Sequence, residues 1–137
     1  MRVHVAFTPT EVSGDGLKTR SVAVVDVLRA ATTVATAIAN GALLIVPVLT
    51  PAEARERAAR FSPGEVLIGG ERDGEPISDF DLGNSPLEYT SQRVTGKVVI
   101  LTTTNGTRAL VAASDAPTVA VCAFVNLPEA ARWVLAQ

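Results

Sequence analysis

Five short runs of apolar, largely β-branched residues recur from position 21 onward. They are SVAVV at 21–25, LLIVPV at 43–48, EVLI at 65–68, KVVIL at 97–101 and TVAVCA at 118–123. Runs of this length with little polar alternation are typical of strands buried on both faces of a parallel sheet. Each is followed by a stretch with helical pattern or helical punctuation. Residues 26–42 (DVLRAATTVATAIANGA) carry apolar side chains at Val34, Ala37 and Ile38 and offer Gly41 as a C′ residue. Thr50-Pro51-Ala52-Glu53 is a capping box with proline at the first helical position, predicting a helix to about residue 60. Ser85-Pro86-Leu87-Glu88 repeats that logic. Residues 107–113 read as a further helix, and Asn126 starts a last one that runs to Gln137. Strict alternation of strand and helix predicts an α/β fold, a mostly parallel sheet with helices on both faces.

Upstream of this pattern, residues 2–7 alternate and read as a strand closed by Pro9. Residues 10–19 (TEVSGDGLKT) form a polar, glycine-containing loop without the spacing of a phosphate-binding P-loop. The final helix stops at Gln137 without a C-cap glycine or a closing strand, which reads as a fragment boundary. Residues 1–137 are therefore expected to form a single α/β domain, C-terminally incomplete. Apolar strand faces left uncovered would drive self-association, so a homo-oligomer is expected.

Composition narrows the partners. Hydrophobic residues make up 47% of the 137 and charged residues 19%, well clear of disordered composition. Net charge is −2 and no Lys/Arg cluster stands out, which argues against nucleic acid and anionic membrane. No run approaches the roughly 20 residues of a membrane span, and the first residues lack a signal peptide's apolar core. A cytoplasmic enzyme or binding domain fits. The one cysteine, Cys122, lies in an apolar run and reads as a buried, inert thiol.

Residues 69–86 (GGERDGEPISDFDLGNSP) are the exception to short connections. They carry five carboxylates, one arginine and an Asn84-Ser85 pair, with Phe80 and Leu82 as apolar anchors. Connections in compact domains are usually about 4–6 residues, so a polar stretch of this length points to function. Asp73, Glu75 and Asp79 read as a solvated face of that stretch.

In an open parallel sheet ligands bind beyond the carboxyl ends of the strands. Those ends here carry Asp26, Gly69-Gly70-Glu71-Arg72, the run Thr102-Thr103-Thr104-Asn105-Gly106-Thr107, and Asn126. Asp26, Glu71 and the 103–107 turn are therefore expected on one edge, facing a common cleft. Helix starts at such an edge suit phosphate. Carboxylates beside phosphate imply a bridging cation, and Asp26, Glu71 and Asp81 supply the hard oxygen ligands that suit Mg²⁺. With His4 and Cys122 alone of their kinds, no zinc set exists. Blander roles compete: Asp26 as a strand-end cap, Ser85 as an N-cap, the threonine run as a turn.

Taken together, VVDVLRAATTVATAIANGA, GGERDGEPISDFDLGNSPLEYT, TTTNGTRAL and AFVN resemble the 2-phosphosulfolactate phosphatase family, in that order and over nearly the whole chain from Ser21. The resemblance implies an α/β, Mg²⁺-dependent phosphatase of coenzyme M synthesis that releases phosphate from 2-phospho-3-sulfolactate or a related phosphorylated hydroxy acid. It also implies a C-terminal part that this chain lacks. On that reading the catalytic groups are Asp26, Arg29, Glu71 and Arg72, with the two arginines as bidentate oxyanion forks. Substrate contacts are Asn84, Ser85, Thr103, Thr104, Asn105, Gly106, Thr107 and Asn126, and the metal ligands are Asp26, Glu71 and Asp81. Asp26 lacks the D-x-D pattern of aspartyl-phosphate phosphatases, since position 28 is Leu28, and is placed as metal ligand or general base. The alternative is a non-catalytic domain binding a phosphorylated metabolite or nucleotide; the absence of G-x-G-x-x-G disfavours a dinucleotide oxidoreductase.

Overall fold

The computed structural model describes residues 2–12 and 15–137. Ser13 and Gly14, in the polar loop expected over residues 10–19, lie outside the described residues, as does Met1. Six strands alternate with five α-helices: β1 (Ser21–Val25), α1 (Ala30–Ala39), β2 (Leu44–Pro47), α2 (Pro51–Ala58), β3 (Val66–Arg72), β4 (Glu75–Pro76), α3 (Ser91–Val94), β5 (Val98–Thr102), α4 (Gly106–Ala112), β6 (Thr118–Cys122) and α5 (Leu127–Leu135). The chain is α/β. Its strand pairs are parallel except β3 with β4.

The strands divide into two sheets, β1-β6 and β2-β5-β3-β4, where one sheet was expected. The division leaves β1 covered on one side only: Val24 is buried while Val25 is 68% exposed. The predicted strand over residues 2–7 does not form, and no described strand pairs with it. Its alternation presupposes a neighbour, and Val3, Val5 and Phe7 are exposed instead.

Local chemistry sets the helix ends. Thr50 Oγ1 accepts from the Glu53 N–H at 3.1 Å, and Pro51 needs no donor at the first position. The Glu53 carboxylate returns to the N–H of Leu49, one residue before the cap. Gly41, at φ +94°, closes α1 by donating to Ile38 O, while Ala42 donates to Ala37 O. The two faces of β5 then recruit different helices. Val99 and Leu101 pack with Val34 and Ala37 of α1 and Val94 of α3, whereas Ile100 packs with Ala54 of α2. Side chains alternate across a strand, so three consecutive residues build two cores. Burial of each large apolar side chain contributes about 1.5–3 kcal/mol.

The long polar stretch is not a free loop. Past β3 the chain turns at Asp73-Gly74, with φ of 52° and 87°, into the two residues of β4. It then returns along β3, where Leu82 bridges Gly69 and the Gly70 N–H donates to Leu82 O. Buried Tyr89 fastens this return, its hydroxyl donating to Gly83 O at 2.7 Å.

Candidate active site

Parallel strands end together, and the ends of β1, β3 and β5 enclose a cleft of about 430 Å³. Asp26 and Arg29 enter it from the β1–α1 connection, with exposed Leu28 at the rim. Glu71, Asp73 and Gly74 come from the end of β3 and its turn. Thr103, Thr104, Asn105 and Gly106 come from the β5–α4 turn, and Asn84 from the returning stretch. Eight of the residues singled out in the sequence thus share one cleft.

Gly106 lets Asp26 reach it. A Cβ on Gly106 would lie 2.3 Å from Ala30 Cβ and 2.7 Å from Asp26 Oδ2, so any side chain there would displace the carboxylate. Burial raises the Asp26 pKa above the usual carboxylate value; the Ala30 N–H opposes this and the Glu71 charge adds to it.

Glu71 is held differently. Oε1 accepts from the Thr104 N–H at 2.7 Å; Oε2 accepts from the Gly74 N–H at 2.7 Å and the Thr104 hydroxyl at 3.0 Å. Burial alone would raise its pKa, but these donors and the Arg29 charge together bring it below the usual value. Two carboxylates in one cleft are thus pushed in opposite directions, the pattern by which acid–base pairs differentiate.

Asn84 lines the same cleft from the returning stretch. Its backbone carbonyl is tied to α1, and its Oδ1 is a buried side-chain atom without a partner among the described residues. Buried polar atoms are normally satisfied, so this unpaired oxygen on a residue of the cleft wall is an exception.

Five expected site residues are placed elsewhere. Arg72 follows Glu71 on β3 and points to the opposite face, where its guanidinium donates to Leu49 O, Thr102 Oγ1 and Glu71 O. Asp81 is exposed, its Oδ2 accepting from the Ile68 N–H at 2.8 Å; this caps the edge of β3 and leaves it out of any set with Asp26 and Glu71. Ser85 precedes a 3-10 turn at Pro86–Glu88, makes no side-chain cap and does not line the cleft. Thr107 is fully buried and exchanges bonds with Thr103, which locks the turn from behind. Asn126 accepts from the Ala123 N–H and donates to Val121 O, bracing the β6–α5 connection. Except for Ser85, each is a polar group whose side chain is engaged within the fold.

Asp73, which with Gly74 walls the cleft, was read as part of a solvated face. The signal that could have found them is the Asp-Gly pair, a strong two-residue hairpin turn. Among the described residues no three His, Cys, Asp or Glu side chains gather as a metal cluster. The cleft's oxygen donors are carboxylates together with the Asn84 amide. Cys122 is buried, and burial pushes its thiol pKa up, as expected of an inert thiol. No described helix is long and apolar enough to cross a membrane.

The family model described as 2-phosphosulpholactate phosphatase matches residues 6–137. A Gloeobacter violaceus protein named "Probable 2-phosphosulfolactate phosphatase" is 48% identical over 138 residues, covering 100% of this chain and 57% of its own. A Clostridium botulinum protein of the same name is 42% identical over 135 residues, covering 98% and 57%. One from Symbiobacterium thermophilum is 47% identical over 113 residues, covering 82% and 48%. The chain spans about half the length of the curated relatives it matches.

Proposed function

The chain belongs to the 2-phosphosulpholactate phosphatase family, and on that premise we propose that its cleft hydrolyses a phosphate monoester of a small anionic hydroxy acid. The proposed substrate is 2-phospho-3-sulfolactate, giving sulfolactate and phosphate, with Mg²⁺ as cofactor and a cytoplasmic place in coenzyme M synthesis. The observation that carries the reading is the meeting of Asp26, Arg29 and Asn84 against a turn of small residues, Thr103 to Gly106. A phosphate ester needs a guanidinium for its oxygens, close backbone approach, and an acid–base group at the reacting water.

Hard oxygen donors suit Mg²⁺, which is commonly held by one or two carboxylates with substrate phosphate, so the Asp26 carboxylate fits it. When bound, Mg²⁺ supplies neutralisation of the phosphoryl oxygens. Arg29 binds and orients the anion from the β1–α1 connection that also carries Asp26. Asp26, as ligand or as base, stands where water must approach; as base it takes the water proton as the new P–O bond forms. The ester P–O bond then breaks, and the leaving oxygen takes up the proton held by Asp26, or one from solvent water, and departs as the alcohol. Thr103 to Gly106 offer no bulk, so the phosphoryl group can come down against the backbone.

A phosphate-release assay on 2-phospho-3-sulfolactate and a panel of phosphorylated hydroxy acids, with Mg²⁺ or with chelator, tests this. Mg²⁺-dependent release is expected. Tight binding of the esters without release would replace the reading with that of a non-catalytic phosphometabolite-binding domain.

A further inference from the structure

We propose that Glu71 is a positioning residue, whose carboxylate pins the Asp73-Gly74 turn to Thr104 and, through Gly74, aims the Arg29 guanidinium into the cleft. The proposal rests on the reading that the cleft takes an anionic phosphate ester.

A carboxylate has about four acceptor positions. Glu71 fills three of them with donors at 2.7, 2.7 and 3.0 Å from two separate segments. Used as a base, it would have to carry a proton on an oxygen that already faces an N–H or O–H. Only one acceptor position, on Oε1, remains for a proton or a metal, and three of the four are already spent inside the fold. The same bonds suit a clamp. Thr104 Oγ1 donates to Glu71 and accepts from the Asp73 N–H at 2.8 Å, and the Thr104 N–H also donates to Glu71, so residues 71–74 and the β5–α4 corner are joined at three points.

Arg29 depends on that joint. Its Nη2 donates to Gly74 O at 3.4 Å, the carbonyl of the residue whose N–H Glu71 holds. The Gly74 backbone therefore connects the carboxylate to the guanidinium, and Arg29's charge acts on Glu71 in return. If the turn is released, Arg29 loses the acceptor that fixes its direction.

The experiment compares the full chain, Glu71→Gln, Arg29→Ala and the double variant by three measurements: amide hydrogen exchange, calorimetric affinity for inorganic phosphate, and the Mg²⁺ concentration for half-maximal turnover. A glutamine presents an NH₂ to an N–H donor and breaks the joint. Exchange at Gly74 and Thr104 should quicken by about tenfold, with Ile100 in β5 still protected. Phosphate affinity should fall by about tenfold in either single variant, and the double should be no weaker than Arg29→Ala alone. The Mg²⁺ requirement should not move. Additive losses in the double variant, or a raised Mg²⁺ requirement with Gly74 still protected, would overturn the proposal. Should Glu71→Gln lose Ile100 protection as well, Thr104→Val, which removes the two hydroxyl bonds and keeps the Thr104 N–H on Glu71, carries the same comparison. If the unmodified chain binds no phosphate, the functional reading falls, and exchange at Gly74 alone decides whether Glu71 holds the turn.

Discussion

The hydroxyl of Thr33, buried on α1, donates to the backbone carbonyl of Asn84 at 3.0 Å. The bond crosses 51 positions of sequence and anchors the returning polar stretch to the first helix. It leaves the Asn84 side chain buried at the cleft with Oδ1 unpaired. Asn84→Ala should therefore separate function from stability. It removes no bond made by Oδ1, so unfolding free energy should change by no more than about 1 kcal/mol, whereas kcat/KM should fall by about tenfold to a hundredfold. Thr33→Val should do the reverse in the first measure, losing about 1–3 kcal/mol by orphaning the carbonyl. Denaturant unfolding and steady-state kinetics on both variants check the pair; a large stability loss in Asn84→Ala would show that the amide is satisfied.

Asp26→Asn should abolish most turnover, by about a hundredfold or more, while making the chain more stable at neutral pH. The sign follows from burial, which raises the pKa of Asp26 in the folded state. A raised folded value favours folding below the unfolded value, and that contribution is lost as pH rises through the folded one. The stability advantage of the amide should therefore be full at pH 7 and vanish below about pH 3.9, where the wild-type carboxyl is protonated in both states. Unfolding midpoints at both pH values check this. A variant less stable than wild type at pH 7 would mean that the Ala30 N–H outweighs burial.

Arg29 and Arg72 should part company. Arg29→Ala should raise KM by about tenfold through loss of a guanidinium–oxyanion contact, with little change in unfolding. Arg72→Ala should leave KM in place and lower stability by about 1–3 kcal/mol, because Leu49 O and Thr102 Oγ1 lose their donor. A raised KM in Arg72→Ala with an intact fold would contradict its placement on the far face of β3.

Gly70→Ala should be among the most damaging small substitutions in the chain. Its φ is +144°, and a Cβ would lie 1.9 Å from Thr102 O in the paired strand β5. The clash is with backbone, so β3 must move; the expected loss is about 3 kcal/mol or more. Gly64→Ala, at φ +89° with nothing within 4 Å, should cost only about 1–2 kcal/mol from backbone conformation. Chemical unfolding of the two variants side by side checks the contrast, and similar losses would refute it.

Local patterns determined much of this protein from sequence alone. The Thr50-Pro51-Glu53 cap and the Gly41 terminator act within a single helical turn, and both are in place. The apolar runs from position 21 became strands because their residue types leave few other ways to bury them. The parallel pairing of β3 with β5 brought Glu71 and the 103–106 turn together, and Asp26 joins their cleft from β1 of the other sheet. What only the tertiary structure decided is which polar groups remained available there. Glu71 and Arg72 are adjacent, and the pairing of β3 with β5 sets which of them faces the cleft. Asp81 and Asn84 sit three positions apart in one polar stretch, yet one caps a strand edge and the other keeps a buried oxygen free. The alternation over residues 2–7 found no described partner, and β1 joined β6 apart from the main sheet. The physical reason is common to all of these. Propensity and capping are settled by neighbours a few residues away, whereas register, burial and the spending of a hydrogen bond depend on groups that meet only once the chain has folded.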